Sequence, residues 1–331
     1  MNFARRACFW LSFLISSVTL LNPVVRAGDI TVPPEAAQAM DKIYGGEPDA
    51  AIPIARSLQQ AQPDHPIGYL LEAEADWWKL YCAACEIKWG MVDAWRRGKD
   101  SGDEAYLALA DKVIHLAQTR LAKSDTAEMH VYVGIGAGLK ARLYSLRGDN
   151  RNVARSGVSS RAEMVRALQL DPQMPDATAS LGFYNYYVDT LAAPVKILRF
   201  LMGIPGGNKE EGIRQMEIGM NQGVLLSADS RFYLAKNLRI FDLRYDRALA
   251  VAEPLAARYP RNLNFLLLLG NLNAELGRKD AASKYFHQVL DSPDAEPQAC
   301  AGCAVSAAHP DRNDCAARAR DLANAFLASL H

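Results

Sequence analysis

No histidine in this 331-residue chain stands in an H-x-x-x-H or H-E-x-x-H pattern, and no G-x-S-x-G occurs. The six histidines, His65, His115, His130, His287, His309 and His331, are scattered. The helical zinc-hydrolase pair and the nucleophile elbow are thereby excluded. There is no excess charge either: Lys+Arg 37 balances Asp+Glu 37. That excludes the basic surface on which non-specific nucleic-acid binding depends. Beyond the first thirty residues nothing approaches the roughly 18 uninterrupted apolar residues of a membrane-spanning helix. No alternating strand pattern persists, and no long Gly/Ser or Pro linker divides the chain. With 50% hydrophobic and 22% charged residues the chain is built to pack, not to stay disordered. No catalytic constellation and no cofactor motif emerges, so a non-enzyme without a cofactor is expected.

The N-terminus has the three parts of an export signal. Arg5 and Arg6 are its basic region, Ala7 to Leu21 its apolar run, and Val25-Arg26-Ala27 its cleavage site. Asn22, Pro23 and Arg26 after the apolar run weigh against an uncleaved anchor, and Cys8 sits too early for a lipoprotein box. Cleavage after Ala27 removes three arginines and no acid, leaving 34 basic against 37 acidic residues, a net charge of −3. The expectation is a signal peptide over 1–27 and a periplasmic or secreted single domain over 28–331.

The remainder repeats. LNFLLLLGNLNAELGRKDAASKYFHQVLDSP places Gly270, Gly277, Ala282, Phe286 and Pro293 in order, and the preceding segment puts Phe232, Ala248, Ala252 and Pro260 in the matching places. Ala248 and Ala282 are 34 residues apart. Gly46, Ala51, Ala55 and Pro63, and later Met164, Ala167 and Pro172, fit second halves of the same unit. These residues resemble the tetratricopeptide repeat, a helix–turn–helix unit of this length. Small residues let two backbones approach, Gly277 can take a positive φ at a helix end, and proline stops the second helix. The resemblance implies an all-α, right-handed solenoid of about six helix pairs. They run near 32–65, 66–122, 127–174, 175–228, 229–262 and 263–296, with insertions in the second and fourth and a capping helix over 311–330. One pair cannot bury its own apolar face, so the pairs must stack. The segment SLGFYNYYVDTLAAPVKILRFLMGIPGGNKEEGIRQMEIG, with Asp76-Trp77-Trp78, is similar to a group of bacterial tetratricopeptide proteins and to the eukaryotic inclusion-clearance ones. That likeness implies a scaffold role and brings no catalytic residues.

Cys82-Ala-Ala-Cys85 and Cys300-Ala-Gly-Cys303 have metal-ligand spacing, and His309 and Cys315 extend the second to C-x5-H-x5-C. Zinc is one reading. In an oxidising compartment a disulfide among Cys300, Cys303 and Cys315 is favoured, with Cys82/Cys85 as a second bridge or two buried thiols. Gly134, Gly136 and Gly138 follow no strand and match no phosphate loop, so they read as close helix packing. Asn208, after Gly206-Gly207, reads as a helix cap rather than part of an anion site.

In the repeat register, residues that line the concave face include Trp77, Trp78, Phe183, Tyr186 and Tyr187, with Asn237 and Asn271 at equivalent places of successive units. Amides spaced by one repeat can bond an extended peptide, and rings can anchor it. One of the two tryptophans is expected simply to fill space. Tyr233 and Leu267 stand where a carboxylate clamp needs a cation or a polar group, which disfavours a C-terminal acid as ligand. Three functions follow: a scaffold binding a protein or peptide in an open groove, a carrier of a small apolar ligand closed in by the 191–205 insertion, and a zinc or redox protein. Leu191 to Pro205 (LAAPVKILRFLMGIP) is expected to form a short helix buried against neighbouring units, with Lys196 and Arg199 turned to solvent. Binding to a membrane interface is its rival.

Overall fold

The computed structural model describes residues 30–81, 102–292 and 315–330. Residues 1–27, read from the sequence as an export signal, lie outside these residues, as do Cys82, Cys85, Cys300 and Cys303. Among the described residues there are fourteen helices and no strand. The first six are α1 (Pro34–Tyr44), α2 (Pro48–Ala61), α3 (Ile67–Leu80), α4 (Gly102–Leu121), α5 (Ala127–Leu146) and α6 (Asn150–Leu170). Then follow α7 (Pro175–Thr190), α8 (Ala193–Leu201), α9 (Lys209–Gln222), α10 (Ser227–Ile240) and α11 (Tyr245–Arg258). The chain continues with α12 (Leu263–Glu275), α13 (Lys279–Leu290) and α14 (Cys315–Ser329). Cys315 thus opens the last helix.

Local chemistry sets the boundaries. Proline occupies the first turn of α1, α2, α7 and α8, where its missing N–H is not needed. Asp149, Asn208 and Asn262 cap α6, α9 and α12 by accepting from backbone N–H groups of the first turn. Gly277 just beyond α12 has φ 71°, the left-handed value its position anticipates.

Apart from α8, each helix packs on the next, and α7 packs directly on α9. The odd-numbered early helices also touch in series, α1 with α3, α3 with α5 and α5 with α7, and α10, α12 and α14 do the same. Glycines mark the closest crossings. A Cβ at Gly270 would lie 2.5 Å from the Phe286 ring, and one at Gly134 2.5 Å from Met164. At the α7–α9 crossing Gly182 and Gly212 oppose each other, each facing the other's carbonyl oxygen. The glycine run of α5 therefore packs helices, as its lack of a preceding strand implies.

The array also closes on itself. Asp41 of α1 accepts from Arg258 and from the Tyr259 hydroxyl, both at 2.9 Å. The Tyr44 carbonyl accepts from Asn262 Nδ2 at 2.8 Å, and Glu47 accepts from Arg261 at 2.8 Å. The first helix thereby rests on the α11–α12 turn, more than 200 residues away along the chain. The space between early and late units is filled. One buried hydrophobic cluster runs from Ile30 to Ala323.

The insertion departs from expectation. It does form a helix, α8, but no residue of that helix is buried. Phe200 is 77% exposed, Leu201 74% and Ile197 62%. Lys196 and Arg199 are the half-buried side instead, because each has a partner at the root of the insertion. Lys196 Nζ donates to Asp189 at 3.0 Å, and Arg199 donates to the Ile204 carbonyl at 2.7 Å. Turning them inward forces the apolar residues out. No described helix is long and apolar enough to cross a membrane.

Candidate functional site: a buried aromatic and ionic cluster

The expected groove residues come together, but as an interior and not as an open surface. Trp77 and Trp78 sit on α3, Phe183, Tyr186 and Tyr187 on α7, Tyr233 and Asn237 on α10, and Asn271 on α12. Trp77, Trp78, Tyr186, Tyr233, Asn237 and Asn271 are buried, and Phe183 and Tyr187 are half-buried. The groove is filled because the late helices curl back onto α1 and α3. Trp78 meets Tyr44, Phe232 and Phe265 edge-on, with centroids 5.9, 5.1 and 5.8 Å away. It is the tryptophan that fills space. Trp77 has directional partners: its indole N–H donates to the Tyr233 hydroxyl at 2.8 Å, and Tyr81 stacks on it at 5.3 Å.

The opposite side of this cluster is ionic. Arg142 of α5 donates to both oxygens of Glu74 on α3 and, at 3.0 Å, to Asp229 on α10. Its guanidinium carbon also lies 5.0 Å from the centre of the Trp77 ring. Lys236 is buried with its ammonium 4.6 Å from the Tyr233 ring and 5.5 Å from that of Tyr81. Burial, then the charge of Glu74, push the Asp229 carboxyl up to about 7, with Arg142 opposing the shift. Burial works against charge on Arg142, but Glu74 and the surrounding acids outweigh it and hold its pKa well above normal. The Tyr233 and Tyr44 hydroxyls are raised well above the ordinary tyrosine value, chiefly by burial.

The amides expected to grip a peptide are engaged within the chain through their oxygens. Asn237 Oδ1 accepts from the Tyr187 hydroxyl at 3.1 Å, and Tyr186 donates to the Asn237 carbonyl and to Asp242. Asn271 accepts from Arg239. Phe183 packs edge-on against Tyr233 at 5.9 Å. Glu74, Tyr81, Arg142, Asp229 and Lys236 were not anticipated in the sequence. Charged residues on helices ordinarily lie on solvated faces, so nothing singled them out. The one available hint is that Glu74 stands four residues before Trp78, whose indole donates to it at 3.1 Å.

Among the described residues no group of three or more His, Cys, Asp and Glu could hold a metal ion. No protein-family model and no curated protein sequence matches the chain.

Proposed function

We propose that this chain is a non-catalytic, exported binding protein, built as a right-handed tetratricopeptide-like solenoid of six helix pairs, that binds a small apolar ligand at the accessible edge of its packed aromatic interior, against Phe183 and Tyr187. The observation carrying this reading is the Arg142–Glu74–Asp229 network buried beside Trp77. Burying an arginine with two acids adds little stability over apolar packing, because the desolvation cost offsets the attraction. Titratable groups so perturbed, set among rings in a protein interior, mark a candidate binding site. The half-buried Phe183 and Tyr187 are its most accessible members. The 191–205 insertion takes no part in enclosing it, since α8 faces outward.

The rival is a scaffold that grips an extended peptide on its concave side. It requires the contacts of Asp41, Tyr44 and Glu47 with the α11–α12 turn to open first.

The test uses the Phe200→Glu chain, so that the exposed α8 contributes nothing. Organic extraction of the purified protein followed by mass spectrometry is expected to release a bound apolar molecule. Titration with long-chain fatty acids is expected to change tryptophan emission, and Phe183→Ala/Tyr187→Ala to weaken that response. Absence of both a released molecule and an emission change overturns the reading.

A further inference from the structure

The most exposed apolar surface of the described chain is the α8 protrusion, and it is not part of the interior site. Val195, Ile197, Leu198, Phe200, Leu201 and Met202 are all between 46% and 77% exposed. At about 100° per residue, the arc from Phe200 through Ile197, Leu201 and Leu198 to Met202 covers roughly 200° of the helix. Lys196 and Arg199 occupy the opposite, inward side.

The protrusion is fixed at its root. Asp189 accepts from Lys196 Nζ at 3.0 Å and from the Lys209 backbone N–H at 2.9 Å, tying the two ends of the insertion together. The Tyr184 hydroxyl donates to the Pro205 carbonyl at 2.8 Å. Arg161 lies over the Tyr184 ring at 5.6 Å. Four cations, Arg161, Lys196, Arg199 and Lys209, therefore gather at the root, where the acids bonded to them are Asp189 and Asp242, the latter with its side chain covered. An apolar tip rises from a cationic collar.

We infer that this protrusion is a membrane-interface anchor that inserts α8 among the acyl chains of an anionic bilayer, with the collar at the level of the phosphates. Two considerations select lipid as the occupant. The first is area. A nine-residue helix is only about 14 Å long, and one side of it presents a few hundred Å², well under the roughly 800 Å² per partner of a stable protein interface. A second copy docked through α8 would cover one flank and leave the rest in water, whereas acyl chains surround a convex tip on every side. The second is charge complementarity. An apolar wedge set over a ring of lysine and arginine matches hydrocarbon beneath anionic headgroups. The chain's overall net charge does not oppose this, because the collar is local and screening confines distant charges to about 10 Å.

The test is vesicle flotation of the full chain as recovered from its expressing host. Vesicles of phosphatidylcholine alone are compared with vesicles containing phosphatidylglycerol. The wild type is expected to float with the anionic vesicles and to lose much of that binding in high salt. Phe200→Glu and, separately, Leu201→Glu are each expected to lower vesicle-bound protein roughly tenfold or more. Both positions are exposed, so thermal midpoints are expected to match wild type, and either variant serves if the other misfolds. Equal flotation of wild type and both variants would place membrane binding elsewhere, the apolar run of residues 7–21 included, and overturn the inference. So would failure of the wild type to float, or a concentration-dependent dimer that Phe200→Glu abolishes. A failed ligand search in the interior leaves this result untouched, since the α8 variants alter no interior residue.

Discussion

Arg142 and Asp229 stand 87 residues apart in sequence and 3.0 Å apart in space, joining the third helix pair to the fifth across the interior. Glu74 on α3 shares the same guanidinium. One side chain therefore fastens three separate units, through α3, α5 and α10. Removing it leaves the Glu74 carboxylate and the Asp229 carboxyl facing each other in the interior without the counter-charge and donors they share. Arg142→Met is expected to destabilise the fold by about 3–5 kcal/mol. Adding Glu74→Gln and Asp229→Asn to that variant is expected to restore most of the loss, because the stranded charges go with them. Urea unfolding of the single and triple variants measures both. A triple variant no more stable than the single one would show that the network contributes more than charge compensation.

Asp229 also gives the stability a pH signature. Its folded pKa, about 7, lies above the ordinary carboxylate value near 3.8. Between those values the unfolded chain ionises this group and the folded chain does not, so its contribution to stability falls as pH rises through that window. It is fully present below about pH 4 and gone above about pH 7. Asp229→Asn removes the dependence. The stability of the variant relative to wild type is therefore expected to improve steadily from pH 4 to 7 and then level off. Denaturation midpoints of the two chains at four or five pH values check this, and a difference that is flat across the window, or of opposite slope, contradicts it.

Glycine crossings differ in how they should respond to substitution. At Gly270 the obstacle to a Cβ is the Phe286 ring, which can move. Gly270→Leu is expected to overpack the α12–α13 contact and cost about 1–3 kcal/mol, and Phe286→Leu in the same chain to recover part of it. At Gly212 the obstacles are the Gly182 carbonyl oxygen and the Tyr186 backbone nitrogen, both 2.7 Å from the added Cβ, and no side-chain change relieves them. Gly212→Ala is thus expected to lower Tm with no second-site rescue on α7. A thermal midpoint unchanged in Gly270→Leu would mean that this contact is looser than its geometry implies.

These responses follow the line between what the sequence discloses and what it hides. Helix pairs were legible because each requirement is local. Gly270 permits close approach to Phe286, Gly277 takes the turn, and Pro260 stands just past the end of α11. The residues expected to line a groove, Trp77, Trp78, Phe183, Tyr186, Tyr187, Asn237 and Asn271, do lie on helices that meet, because helical spacing fixes which side of a helix each one occupies. Their burial was not, because it depends on curvature accumulated over six pairs, and that brings Tyr44 to Asn262 without any local signal. A partial clue lay in Trp77-Trp78: adjacent residues on a helix point about 100° apart, so both cannot face one groove. The orientation of α8 was hidden for a different reason. Its pattern separates a cationic side from an apolar side but does not state which faces the body. Asp189 and the Ile204 carbonyl decide that, by binding Lys196 and Arg199.

The closure itself can be separated from helix capping at Asn262, which serves both. Its Oδ1 caps α12 by accepting from the N–H groups of Asn264 and Phe265, while its Nδ2 donates to the Tyr44 carbonyl. Asn262→Ala loses both and is expected to cost about 1–3 kcal/mol. Asn262→Asp keeps an oxygen for the cap but has no donor for Tyr44, so only the closure is weakened. Amide hydrogen exchange of residues 34–61 is expected to quicken in both variants, as the first helix pair is held to the late units by few bonds. The first turn of α12 should quicken only in Asn262→Ala. Should Asn262→Asp leave exchange in α1 and α2 at the wild-type rate, the bond to Tyr44 contributes nothing to closure. The ion pairs of Asp41 and Glu47 would then have to account for it, and Arg258→Ala with Arg261→Ala would be the pair to measure next.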